Sequence, residues 1–232
     1  RRENDLGGAT FGRGFYILDD ISPLRDWDNS MLKSEATVFN TKPAYWYVPR
    51  DEIYGQGNAD YQAKNPPYGA VFTYYLKAKY KSLADKRKEA EKNLIKNKSN
   101  VPFAGWDALD KELSQNKPSV VLTIRDADGN VVKHVIGKNA KGFNRVAWVQ
   151  LRSAGASGSF GSGPRATPGT YTMTLSIVID GVWTELSKPQ EFKVMKLREG
   201  ALPAKNISEI NAFRKRFEAF QQDMTAVRTV LS

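Results

Sequence analysis

The sequence predicts a mainly β protein, an immunoglobulin-like β-sandwich with a helical insertion and a C-terminal amphipathic helix. Three observations predict it. After Pro118, short runs of β-branched and aromatic residues follow one another closely, as in a sandwich. Asp128-Gly129 and Asp180-Gly181, pairs that accept the positive φ of tight hairpins, separate some of these runs. The final segment carries apolar residues at alternating steps of three and four, the spacing of a helical seam.

Taken in order, Leu6 to Ile21 reads as one strand interrupted by Gly7-Gly8 and Gly12-Arg13-Gly14. A lone strand is not stable in water, so this one needs a sheet to join. Asp26 to Pro67 is irregular and rich in aromatics and turn formers, including Tyr45-Trp46-Tyr47, and reads as an ordered linker draped over a neighbouring domain. Ala70 to Leu76 is the first strand of the sandwich. Ser82 to Lys96 is rich in helix formers, a second short helix follows near Trp106 to Ser114 between Pro102 and Pro118, and the two read as an insertion. Six more strands follow: Val120 to Arg125, Val131 to Ile136, Asn144 to Leu151, Thr170 to Ile179, Val182 to Leu186 and Glu191 to Met195. Trp148 and Tyr171 are expected between the sheets. In the last segment Ile210, Phe213, Phe217, Phe220, Met224, Val227 and Leu231 form a heptad-like seam, with Ser208 as N-cap. Such a seam has to be covered. The default is packing within the same polypeptide, on the sandwich or on the basic helix through Leu83, Ala90 and Leu94; the alternative is a homo-oligomer.

Composition narrows the function classes. The 232 residues carry a formal charge of +10, with 41% hydrophobic and 26% charged residues, so most of the chain should fold and an anionic partner is worth testing. Much of the positive excess falls between Lys77 and Lys98, spaced as on a solvated helix. With no cysteine the chain has neither disulfides nor thiolate metal sites. No apolar run is long enough to cross a bilayer as a helix. Arg1 to Asp5 contains no initiating Met and no apolar signal core, which predicts that the chain begins inside a longer polypeptide.

Candidate chemistry is sparse, and no catalytic, cofactor-binding or metal-ligating residue is assigned. His134 is the single histidine and lies in an expected strand, so neither a His-based metal cluster nor a Ser-His-Asp triad can be assembled. Asp126-Ala127-Asp128-Gly129-Asn130 resembles the opening of a calcium loop, but it lacks the downstream bidentate Glu at the required spacing, which favours a hairpin turn. The Gly/Ser run from Ala154 to Gly163 lacks the lysine and the following helix of a phosphate-binding loop and reads as a flexible loop. Adjacent Asp19-Asp20 point to opposite faces of a strand and more simply end it. Tyr45, Trp46, Tyr47 and Trp106 could stack on sugar rings; the structural alternative is that they pin the linker down.

Several stretches together resemble a family. Ala9 to Arg25 (ATFGRGFYILDDISPLR), Asn65 to Ala70 (NPPYGA), Val101 to Asp107 (VPFAGWD), Asn144 to Trp148 (NRVAW) and Ala166 to Tyr171 (ATPGTY) are similar to the C-terminal region, from the end of the β-propeller onward, of bacterial secreted sortilin-like, BNR-repeat proteins that carry a glycosyl hydrolase label. The resemblance covers nearly the whole chain in the same order. It departs from the family at Gln150, where an Asp is expected before Leu151-Arg152, and at Phe11, where many relatives carry a His.

The resemblance implies a division into 1–25, the last strand and exit of a propeller; 26–69, an irregular linker; 70–197, an immunoglobulin-like sandwich similar to that of flagellar hook-capping proteins, with its insertion at 78–117; and 198–232, a C-terminal helix. It further implies a secreted, periplasmic or cell-surface bacterial protein, of which this chain is a non-catalytic module without cofactor that caps the propeller. The partners implied are that propeller, in the same polypeptide or as a cleaved chain, and a glycan or other anion. The expected interaction surface is Arg13, Tyr45, Trp46, Tyr47, Trp106, Phe213, Phe217, Phe220 and Met224. The rival expectations are a sialidase-like glycoside hydrolase whose active site lies in the propeller, and a polyanion-binding module. The hydrolase label rests on Asp-box repeats of the propeller, which this chain lacks, so no catalytic residue carries over.

Overall fold

The computed structural model describes residues 4–12, 14–47, 66–150, 152, 165–198 and 206–231. The chain is mostly β, with a substantial share of helix and a long helix at its C-terminal end. Strands β1 (Leu6–Ala9) and β2 (Phe15–Leu18) form a separate antiparallel ribbon. After a one-turn helix α1 (Ser22–Arg25) and a 3-10 turn come β3 (Ala36–Val38) and β4 (Ala44–Trp46). Strand β5 (Ala70–Leu76) precedes helices α2 (Leu83–Lys96) and α3 (Trp106–Ser114). Strands β6 (Ser119–Arg125), β7 (Val131–Gly137), β8 (Gly142–Trp148), β9 (Gly169–Ile179), β10 (Val182–Glu185) and β11 (Gln190–Lys196) follow, and α4 (Ile207–Leu231) closes the described chain.

One sheet has the order β3-β5-β8, antiparallel throughout. The other runs β4-β11-β9-β6-β7, with β10 also on β9 and with β4 parallel to β11. Both sheets feed one hydrophobic core. Alternation along the strands explains this. Tyr171, Met173, Leu175 and Ile177 point inward from β9, and Ala70, Phe72, Tyr74 and Leu76 point inward from β5. Rings from the two sheets meet there edge to face, Phe72 against Phe192 at 5.1 Å and Trp148 against Tyr171 at 5.4 Å. The opposite face of β5 and β8 is covered by Trp27 and Phe39, which pack on Tyr75 and Phe143.

Two expectations need correction. The strand material from Leu6 to Ile21 is two paired strands rather than one, because Phe11-Gly12 and their neighbours turn the chain back and Thr10 N–H donates to Gly14 O at 2.9 Å. The stretch 26–69, expected to be irregular, contributes a short strand to each sheet, β3 beside β5 and β4 beside β11. Three residues are too few to show a period, so only pairing partners reveal such strands. Within the insertion, Ser82 caps α2 by accepting from Asp85 N–H at 3.1 Å, and Arg87 bridges Glu91 and Glu112 to tie α2 to α3. Asp180 accepts from Gln115 and from Asn116 N–H, which anchors the end of α3 to the β9–β10 turn.

Candidate interaction surfaces

The ribbon is held at its base and projects from there. Asp20 N–H donates to Asp5 Oδ1 at 2.8 Å and Ile21 N–H to Asn4 O at 2.8 Å. Lys42 lies 3.7 Å from Asp5 and 3.4 Å from Asp20, and Arg145 of β8 donates to the carbonyls of Asp19 and Asp20. Beyond these contacts both faces of the ribbon are open. Phe15 and Ile17 occupy one face at 86% and 73% exposure, Tyr16 and Leu18 the other at 69% and 46%. A two-stranded ribbon with an apolar surface on each side is marginal in water and presents pairing edges. Arg13, expected to be part of the interaction surface, lies outside the described residues.

Beneath the ribbon is a cleft of about 580 Å³, lined in part by Asp19, Asp20, Lys42, Tyr45, Tyr47, Tyr68 and Arg145. Alternation along β4 divides its aromatics: Trp46 turns inward, packs on the core and donates Nε1–H to Ala166 O at 2.8 Å, while Tyr45 and Tyr47 face the cleft. The Tyr47 and Tyr68 rings meet edge to face at 4.9 Å. Arg165 lies 5.6 Å over Tyr68 and donates to its hydroxyl at 3.1 Å. Gln150, fully buried at φ +57°, braces these tyrosines from behind, its amide donating to Tyr45 O at 3.0 Å and its Oε1 accepting from the Tyr68 hydroxyl at 3.0 Å. Trp106 does not join this group. It starts α3, stacks edge to face on Phe103 at 5.2 Å and is 74% exposed.

Helix α4 docks through its polar side. Glu218 takes two hydrogen bonds from Arg152, at 2.9 and 3.2 Å, and Asn211 donates to Thr167 Oγ1 at 3.1 Å. Arg214 donates to Arg165 O at 3.1 Å, and Lys215 pairs with Asp128 and lies 3.9 Å from Asp126. The Lys215 hydrogen bond draws the Asp128 carboxyl below its ordinary value and pushes the Lys215 ammonium above its own. The seam consequently faces away from the sheets: Phe213, Phe217, Phe220 and Met224 are 48% to 67% exposed. This corrects the expectation of cover from the sandwich or from α2, since the polar contacts set the rotation of the helix. The N-cap is also displaced, because the helix begins at Ile207 and Asn206 Oδ1 accepts from Ser208 N–H at 3.2 Å.

The remaining candidates have local explanations. Asp126 Oδ1 accepts from Asp128 N–H, Asn130 N–H and Asn130 Nδ2, so the Asp-rich loop is a hairpin turn with an Asx-type core. Among the described residues no group of three or more His, Asp or Glu is placed to hold a metal. His134 sits on β7 within 3.2 Å of Thr123 Oγ1 and 5.2 Å from the Trp183 ring. Burial first, and then the Arg125 charge, lower its pKa. No described helix is long and apolar enough to cross a membrane. The expected flexible loop from Ala154 to Gly163 lies outside the described residues.

Sequence reasoning missed Lys42, Arg145, Arg152, Arg165 and Glu218, whose partners lie 22 to 126 residues away. Only the polar spacing of Asn211, Arg214, Lys215 and Glu218 offered a signal, one face of a helix with a docking chemistry of its own. Against protein-family models, curated proteins and solved structures the chain finds no match, so these surfaces are interpreted from their own chemistry.

Proposed function

We propose that this chain is a non-catalytic assembly module of a larger secreted bacterial protein of the sortilin-like, BNR-repeat type, and that its ribbon completes or caps the last sheet of a β-propeller. The observation that carries the proposal is the β1–β2 ribbon, anchored at its base by Asp5, Asp20, Lys42 and Arg145 while its apolar residues stay open on both faces. A ribbon built for water would be polar on at least one face; this one has the composition of a strand pair inserted between other layers. Association by strand addition would satisfy its free edge and bury Phe15 and Ile17 together.

The supporting body is taken to be an immunoglobulin-like β-sandwich. The shared core, the order β3-β5-β8 against β4-β11-β9-β6-β7, and the Tyr171 hydroxyl donating to Thr167 O at 2.6 Å at the corner leading into β9 all favour that reading. The cleft beneath the ribbon, with Tyr45, Tyr47 and Tyr68, is the place where a glycan or protein segment could be held against aromatic rings.

Hydrogen exchange on the parent protein tests the proposal. The amides from Leu6 to Leu18 should exchange far more slowly there than in the isolated chain, and equal rates would refute capping. The non-catalytic part has its own measurement, since turnover of a sialoside or other glycoside by the isolated chain would disprove it.

A further inference from the structure

We propose that α4 is a self-association element, pairing with α4 of a second copy as a parallel, in-register two-stranded coiled coil. This inference does not depend on what the ribbon binds. The contacts of α4 with the sheets through Asn211, Arg214, Lys215 and Glu218 lie in its first half, and from Ala219 to Leu231 every residue but Thr225 is exposed. That leaves about 20 Å of helix standing in solvent, too short to be stable alone in water unless its apolar stripe is covered.

The stripe has the form of a coiled-coil core. Ile210, Phe217, Met224 and Leu231 fall at heptad position a, and Phe213, Phe220 and Val227 at position d. The sheets do not obstruct it, because Asn211 and Glu218 at b and Lys215 at f hold the helix from another side, while Arg214 at e flanks the stripe and has N–H donors beyond the one given to Arg165 O.

Charge identifies the occupant and its direction. In a parallel pair each g residue faces the e residue five positions on in the other helix. Glu209 then meets Arg214 of the second copy, Asp223 meets Arg228, and Arg216 meets the neutral Gln221. Two kinds of attractive pair, each occurring twice by symmetry, give four and no repulsive one. An antiparallel arrangement that keeps the seam in contact pairs Arg216 with Asp223, twice in all, and leaves Glu209 opposite Val230. The helix is therefore complementary to itself, and more so in the parallel sense.

The chain has no cysteine, which makes the test direct. With Val227→Cys, mild oxidation should yield a covalent dimer, because a d residue lies opposite its own copy only in a parallel, in-register pair. Sedimentation of the unmodified chain should show a monomer–dimer equilibrium. Arg228→Glu should weaken dimerisation about tenfold, and adding Asp223→Arg should restore it. Phe217→Glu with Phe220→Glu should abolish it while leaving the unfolding of the sheets unchanged. A chain that stays monomeric at high concentration, or that cross-links through Val227→Cys only when Ile210→Cys is also present, would overturn the proposal; so would an Arg228→Glu chain that dimerises like the parent.

Discussion

At the scale of single residues, the positions that matter most are those where backbone geometry and contact coincide. Gly69 has φ +101°, and a Cβ there would lie 2.0 Å from Trp148 O, at the end of the pairing of β5 with β8. Gly69→Ala is expected to cost about 2–4 kcal/mol, from left-handed strain and overpacking together, read as a lower urea midpoint at unchanged slope. Tyr171→Phe should cost about 1–2 kcal/mol, since it removes the donor to Thr167 O while the ring contacts with Trp148 and Phe192 remain. His134 gives a pH dependence. Burial first and Arg125 second hold its folded pKa below the ordinary value of 6.5, so unfolding takes up a proton. Its contribution to stability is fully present above about pH 6.5 and is lost as the pH falls through the lower folded value. Melting temperature should therefore drop over that acid range, and His134→Gln should flatten the drop; an unaltered slope would assign it to other groups.

At the scale of elements, α4 carries two chemistries on two faces, and they respond separately. Arg152→Ala removes both hydrogen bonds to Glu218, whose partially exposed pairing is worth about 1 kcal/mol or less, so the sheets should melt nearly as before. Amide exchange from Asn211 to Glu218 should rise several-fold, because that contact fixes the first half of the helix. Unchanged exchange would mean that Arg214 and Lys215 suffice. The helical positions are largely legible in sequence: α3 starts and stops at the expected residues, and α2 starts one residue after the expected Ser82, which caps it, because caps and flanking prolines act over a few residues. The cap of α4 was misplaced by two residues, since Asn206 and Ser208 are both competent and only the backbone path chooses between them.

At the scale of the whole molecule, the sheets form a self-sufficient core while the ribbon and the second half of α4 stand away from it. Replacing Phe15 and Ile17 with Ser should leave the stability of the isolated chain within about 0.5 kcal/mol, because neither residue is buried. The same change should release the ribbon in the parent protein, seen as faster exchange from Leu6 to Leu18. A destabilised isolated chain would show that the ribbon is part of the fold.

The candidate surfaces were only half legible. The seam was visible as a period, and Tyr45-Trp46-Tyr47 as a cluster. Which of those rings turns inward depends on β4 pairing with β11, some 150 residues later in the chain.

By itself the sequence determined the strands from β5 onward, the two helices of the insertion and the amphipathic character of α4, because strand period, helix period and turn chemistry are set by neighbours within a few residues. Only the tertiary structure decided that the N-terminal segment doubles back, that β3 and β4 join opposite sheets, and that the seam of α4 faces out. The ribbon turns locally but is anchored by Arg145 reaching the carbonyls of Asp19 and Asp20, and the other two outcomes depend on β3 finding β5, β4 finding β11 and Arg152 finding Glu218, pairings between distant residues that no local pattern encodes.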